Sequence, residues 1–219
     1  MTAMMLSSCG EGASNEVTIG KQVWMSQNLN VDKFRNGDPI LEAKTDAEWK
    51  KAGENGQPAW CYYDNDPANG DRYGKLYNWF AVNDPRGLAP EGWKIPSDED
   101  WTRLTDFLGG KSVAGKKMKS TEFWADNDGE SGNGTNESGF SGLPGGSRTG
   151  GIRSSGAFIF IGNYGDWWCS TEDDTDHAWN HMNNCSDGAW NRNLSYDSGD
   201  VNRNGNFKGI GFSVRCLRD

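Results

Sequence analysis

Histidine is nearly absent: His177 and His181 are the only two among 219 residues. There is no Cys-x-x-Cys pair, and the i, i+4 histidines sit in a stretch without helical pattern, so the sequence sets out no metal centre. No Ser-His-Asp order and no paired carboxylates at a strand end stand out, which argues against an enzyme. Basic residues are also short, with 22 Lys and Arg against 31 Asp and Glu and a net charge of −9. No basic stripe exists to neutralise phosphates, so nucleic acid is excluded as a partner. Long apolar runs are missing too, and no stretch reaches the length of a bilayer-spanning helix. Proline occurs seven times and hydrophobic residues make up only 34%.

What the chain has instead is 30 glycines, 11 tryptophans and 9 phenylalanines. The aromatics set it apart from disordered chains. The glycines indicate many tight turns around an aromatic core, not a helical bundle.

The first residues carry Leu6-Ser7-Ser8-Cys9, which resembles the lipobox of bacterial lipoproteins. The preceding residues lack a basic n-region and offer only a stub of an apolar run, so the signal is truncated. The expectation is lipidation at Cys9, a flexible tether through residues 1–15, and a location at the outer membrane or cell surface without a transmembrane helix. Residues 16–219 then form one domain. In an exported protein disulfides are expected among Cys61, Cys169, Cys185 and Cys216. Pairing Cys61 with Cys216 would tie an early strand to the last one, although three connectivities remain open.

Along the chain, residues 17–19 and 22–25 read as a hairpin around Gly20. Residues 46–51 (DAEWKK) read as a short helix capped by Thr45. Residues 59–63 are strand-like and 64–71 a polar turn region, while 73–82 fit either strand or helix. The clearest helix follows Ser97, with acidic Asp98, Glu99 and Asp100 in its first turn. Trp101, Leu104, Phe107 and Leu108 fall on its core-facing stripe, and Gly109 stops it. The acidic loop DNDGESGNGTN at 126–136 could present Asp126, Asp128 and Glu130 to calcium, but lacks the full ligand spacing, so a solvated loop is expected. Residues 140–148, 157–162, 166–170 and 210–217 read as short strands.

The stretch 189–216, AWNRNLSYDSGDVNRNGNFKGIGFSVRC, holds five asparagines between Asn191 and Asn206. Asparagine is disfavoured in strands and helix interiors, so these residues read as a loop surface ahead of a core run, GFSVRC.

Together, TIGKQVWMSQNL, PAWCYYDNDPANGDRYGKLYNWFAV, GLAPEGWKIPSDEDWTRL, GFSGLPGGSR, YGDWWCSTE and GFSVRCLRD resemble the Fibrobacter succinogenes major paralogous domain family. The resemblance runs from about Val17 to Asp219. It implies an α+β, C-type lectin-like fold, similar to formylglycine-generating enzymes: small antiparallel sheets, paired terminal strands, one or two flanking helices and long irregular loops. Those enzymes use a reactive cysteine pair. Here Cys169 and Cys185 are separated by Glu172, Asp173, Asp174 and Asp176, which would raise a thiol pKa. Catalysis is therefore not expected, and no cofactor.

The run from Trp190 to Cys216 also resembles the variable regions of diversity-generating retroelement proteins. Those are altered at AAC codons, which can reach every amino acid except Lys, Glu, Gln, Met and Trp. None of these five occurs from Asn191 to Phe207. Trp179, Trp190 and Lys208 would then be scaffold, with Arg192 and Arg203 as fixed structural positions. The resemblance implies an exported ligand-binding module with a variable C-terminal loop surface across residues 174–207. Its first half offers Asp174, Asp176, His177, Asn180, His181, Asn183, Asn184 and Asp187 as contacts. The second offers Asn191, Asn193, Ser195, Tyr196, Asp197, Asp200, Asn202, Asn204, Asn206 and Phe207. Adaptable short polar side chains with Tyr196 and Phe207 as anchors suit an unknown protein or glycan ligand. The alternatives are a fixed carbohydrate-binding or adhesin domain, favoured if Trp167, Trp168 and Trp190 are exposed, and a structural surface protein.

Overall fold

A computed structural model describes residues 15–151, 154–175 and 188–219. The expected hairpin forms from β1 (Glu16–Ile19) and β2 (Gln22–Met25). After β3 (Leu41–Glu42), α1 (Asp46–Glu54) starts at a capping box in which Thr45 and Glu48 each satisfy the other's backbone N–H. β4 (Ala59–Cys61) leads through a single 3₁₀ turn to α2 (Pro67–Tyr73), in the region expected to be only turns. The ambiguous 73–82 segment is both things in succession: β5 (Leu76–Tyr77), then α3 (Trp79–Val82) capped by Asn78.

β6 (Trp93–Lys94) precedes α4 (Asp98–Phe107), whose capping box joins Ser97 and Asp100. Trp101 and Leu104 are fully buried, but Phe107 is 64% exposed, so the core stripe is one residue narrower than its spacing suggested. The helix ends there, and Leu108 turns inward at its C-cap. α5 (Lys111–Met118) follows at once. The acidic loop contains a small hairpin, β7 (Asp126–Asn127) and β8 (Glu130–Ser131). Asp128 and Gly129 both take positive φ at its tip, as a two-residue turn of this hand requires. Then come β9 (Ser147–Arg148), β10 (Phe158–Ile159), β11 (Tyr164–Asp173), β12 (Gly188–Ser195), β13 (Asn202–Phe207) and β14 (Leu217–Arg218).

The architecture is α+β with several small sheets. One has the order β1-β2-β14-β6, so the terminal strands do pair. Another runs β11-β12-β13, and all its pairs are antiparallel; β3 and β4 form a parallel pair. Five α-helices among the described residues exceed the one or two expected. Trp24, Trp101 and Trp167 each meet Phe140 edge to face in one cluster, and the tilted Trp24 and Trp101 rings have centroids 4.8 Å apart. A second cluster gathers Trp60, Tyr77, Trp168 and Phe212.

The run GFSVRC is buried throughout and its Arg215 stitches the ends of the domain together. Arg215 Nε and Nη2 donate to Asn28 Oδ1 at 3.0 and 2.8 Å, and Trp167 Nε1 donates to the same oxygen at 2.8 Å. Burial pulls the Arg215 pKa down, and its N–H groups donate to the Asn28 amide oxygen and to the carbonyls of Met25 and Phe140 in place of a carboxylate.

Cys61, Cys169 and Cys216 are free, buried thiols. The expected Cys61–Cys216 bridge does not form: Cys61 packs with Trp49 and Leu76, whereas Cys216 belongs to the Tyr77–Phe212 cluster. Burial pushes each of the three thiols up to about 12.

Candidate functional site

The asparagine-rich stretch is not a loop. It forms the central and edge strands of the β11-β12-β13 sheet, and the asparagines obey its period of two. Asn191 pairs with Asn204 and Asn193 with Asn202, while Ala189 pairs with Asn206. On β11, Asp166 stands opposite Asn193 and Trp168 opposite Asn191. One sheet face therefore carries Asp166 and the five asparagines.

The intervening residues build the other face. Trp190 and Leu194 enter the core cluster of Trp101 and Leu104. Arg192, almost wholly buried, donates from Nη1 to Asp98 Oδ1 at 2.7 Å and from Nη2 to Thr102 Oγ1 at 3.2 Å. Arg203 Nε donates to that same Asp98 oxygen at 2.8 Å and lies over the Trp190 ring, 3.2 Å from its centroid. These contacts clamp the hairpin to the N-terminus of α4, and the two guanidinium groups hold the Asp98 carboxyl below its ordinary pKa despite desolvation. Lys119 secures the hairpin tip by donating to the carbonyls of Ser195 and Ser198 at 2.9 and 3.0 Å. It is buried, which pulls its pKa down to about 8.

The asparagine face is partly covered. Asn206 Nδ2 donates to Asn191 Oδ1 at 2.8 Å, and Asn191 Nδ2 donates to Asp166 Oδ1 at 2.9 Å. Asn193 Nδ2 reaches the same carboxyl oxygen at 3.0 Å, and Asn202 Nδ2 lies 3.4 Å from Asn193 Oδ1. Every donor in this relay points toward Asp166. The cause is simple: a carboxylate only accepts, so Asn191 must turn its amide nitrogen to it and its own oxygen to Asn206. Asp166 is 8% exposed, and desolvation, partly offset by the two amides, raises its carboxyl to about 7.

Beside this face lies a cleft of about 750 Å³. Its polar lining comprises Asp166, Asn193, Asn204 and Asn206 with the hydroxyl-bearing Ser147, Thr149, Ser154, Ser155 and Tyr164, and its apolar lining Ile159, Phe160, Ile210 and Phe212. The apolar wall is brought close by Gly150, where a Cβ would meet the Gly209 carbonyl at 2.0 Å. Phe160 is 52% exposed and sits edge-on to Tyr164, centroids 5.0 Å apart. Its φ of 68° places it in the left-handed region, unusual for a bulky side chain.

Several expected contact residues lie elsewhere. Asn191 has no exposed surface and is part of the relay beneath the cleft. Ser195 is buried and hydrogen-bonds Asp197. Tyr196 packs against the tryptophan core and is no free anchor. Phe207 stacks over the Gly209 and Gly151 backbones. Asp174 is exposed at the end of β11, and Asp200 adjoins α5, where a Cβ on Gly115 would meet its carbonyl at 2.5 Å. Asp176, His177, Asn180, His181, Asn183, Asn184 and Asp187, with Cys9, Trp179 and Cys185, fall outside the described residues. Asp166 was not foreseen; its signal is a lone acid opening the apolar run DWWC. Trp167, Trp168 and Trp190 are all buried and offer no aromatic platform. Cys169 is held protonated by burial first, with Asp98 and Asp100 contributing in the same direction. Among the described residues no three His, Cys, Asp or Glu side chains cluster as metal ligands would.

The model of the Fibrobacter succinogenes major domain family matches residues 17–218. The chain belongs to this family. No curated protein and no solved structure matches it. The Fibrobacter succinogenes major domain thus spans every element from β1 to β14 with the cleft among them.

Proposed function

We propose that this Fibrobacter succinogenes major domain is an exported ligand-binding module whose contact surface is the cleft over Asp166, Asn193, Asn204 and Asn206. The observation that carries this is the division of labour on the β12–β13 hairpin. Its arginines and Trp190 face the core and α4, while its amides line a cleft. Binding residues placed on a rigid sheet keep their geometry better than residues on loops. The fold is best understood as C-type lectin-like, with paired terminal strands and an irregular region over the sheet. The lipobox-like residues before the domain suit anchoring through Cys9 at the outer membrane or cell surface, and no helix of the described residues is long and apolar enough to cross a membrane.

The same pattern supports diversification. Trp190 and Lys208, which an altered AAC codon cannot produce, are buried, while Asn193, Asn202, Asn204 and Asn206 all keep some exposure. A near-copy of the 3′ end of the gene, differing only at adenines and lying beside a reverse-transcriptase gene, would establish it. A fixed glycan-binding or adhesin role is favoured by one feature, the exposed Phe160 at the cleft, since aromatic faces suit sugar rings.

The test is an array of glycans and peptides probed with the wild-type domain and with the double variant Asn193→Ala, Asn204→Ala. Hits that vanish in the variant while its thermal unfolding is preserved support the cleft. Hits that persist unchanged place binding elsewhere and defeat the proposal.

A further inference from the structure

The polarity of the asparagine relay also specifies a ligand chemistry, given that the cleft is the binding surface. Asn191 and Asn193 both donate to Asp166 Oδ1, and among the described residues no group donates to Oδ2. That oxygen is not sealed away, because Asp166 lines the cleft and retains accessible surface. A carboxyl more than nine-tenths buried, on a residue that lines the cleft, thus has half of its acceptor capacity uncommitted. Asn206 spends its nitrogen on Asn191, so its oxygen is likewise the atom left to offer. The described lining contains one acid and no Lys, Arg or His.

An uncommitted carboxylate oxygen at Asp166, with the Asn206 amide oxygen on the same lining, favours a positively charged donor, and the hydroxyls of Ser147, Ser154 and Ser155 can share in holding it. An anion would meet a like charge at Asp166, and the described lining holds no cation to offset it. The same cleft is lined by Ile159, Phe160, Ile210 and Phe212, whose side chains offer a ligand apolar surface. Both requirements are met by a charged head on a short hydrocarbon stem, with the exposed Phe160 ring available to the cation. The net charge of −9 draws such ligands toward the protein.

We infer that the cleft binds a primary alkylammonium group, its head on Asp166 Oδ2 and its stem along the Ile159–Phe212 wall. The group is carried either by a free amine or by an exposed lysine of a partner protein.

The experiment is a titration of the full chain at a pH above the raised value of the Asp166 carboxyl, where it is ionised, followed by the side-chain amide resonances of Asn193 and Asn204. The probes are n-butylammonium, Nα-acetyl-lysine amide, n-butanol and methyl glucoside. The expected result is saturable shifts with both amines and none with butanol. The Asp166→Asn variant keeps an oxygen for Asn191 and Asn193 but removes the charge, and should weaken amine binding at least about tenfold. Tighter binding of Nα-acetyl-lysine amide than of butylammonium identifies a lysine side chain as the source, and the reverse order a free amine. Butanol matching butylammonium, or Asp166→Asn binding amines as well as the wild type, overturns the inference. Should Asp166→Asn fail to fold, the comparison of butylammonium with butanol on the wild type decides alone. Methyl glucoside shifting these amides while the amines do not refutes the amine and leaves the cleft as a binding surface. No shift with any probe refutes the amine, whereas the array is what decides the cleft.

Discussion

Asn191 Nδ2 lies 2.9 Å from Asp166 Oδ1, joining the central strand of the sheet to its neighbour through side chains in addition to the backbone ladder. Asn191 also accepts from Asn206, so its removal strands a donor and weakens an acceptor in a buried place. Asn191→Ala should cost about 1–3 kcal/mol in urea denaturation. Asn204, exposed on the same face, should cost no more than about 0.5 kcal/mol when changed to alanine. Equal losses would show that burial within the relay is not what matters.

Asp166 gives stability an unusual pH dependence. Its carboxyl rises from 3.8 to about 7 on folding, so between those values the folded state holds more protons than the unfolded state. Stability therefore falls as pH rises through that window. No charged side chain of the described residues contributes to this shift, which comes from desolvation against the Asn191 and Asn193 amides. Asp98 and Asp100 act in the opposite sense, but their lowered pKa values confine them to pH near and below 3.8. The urea midpoint of the wild type should decline across the window by an amount on the order of 2–4 kcal/mol in stability, and Asp166→Asn should flatten the decline. A wild-type profile that is already flat contradicts the assignment.

Asp98 receives Arg192 and Arg203 on one oxygen. Asp98→Ala leaves the buried Arg192 guanidinium without its carboxylate and should destabilise by about 3 kcal/mol. Arg203→Ala removes the more exposed of the two arginines and should cost less, about 1 kcal/mol. Chemical denaturation of both variants checks the order.

The free thiols make a chemical prediction. Cys61, Cys169 and Cys216 are buried with pKa values near 12, so iodoacetamide should leave them unmodified in the folded protein. After unfolding without reductant, intact mass should show all three alkylated. A missing pair at Cys61 and Cys216 would restore the disulfide.

The elements that announced themselves in the sequence are those with local chemistry: the Ser97 and Thr45 caps and the hairpin at Gly20. α5 begins at Gly110 without a side-chain cap, so nothing in its sequence marked it. α2 had its marks, Asp66 as cap and Pro67 at the first turn. Gly70 disguised it, and that glycine is required because a Cβ there would meet the Tyr62 ring at 2.1 Å. The site was misjudged for a clearer reason. Asparagine's poor strand propensity suggested a loop, although N-x-N and N-x-N-x-N are the period of a strand. Propensity lost because Arg192, Leu194 and Arg203 on the opposite face fix the hairpin against α4, leaving the asparagine face to bind its own neighbours and the cleft.

The most direct test randomises Asn193 and Asn204 together in one displayed library and Asn191 in another, then scores the protease-resistant fraction of each. If the cleft face serves a ligand and not the fold, most of the first library stays folded and most of the second does not. Loss of folding throughout the first library, to the same extent as in the second, would contradict the account.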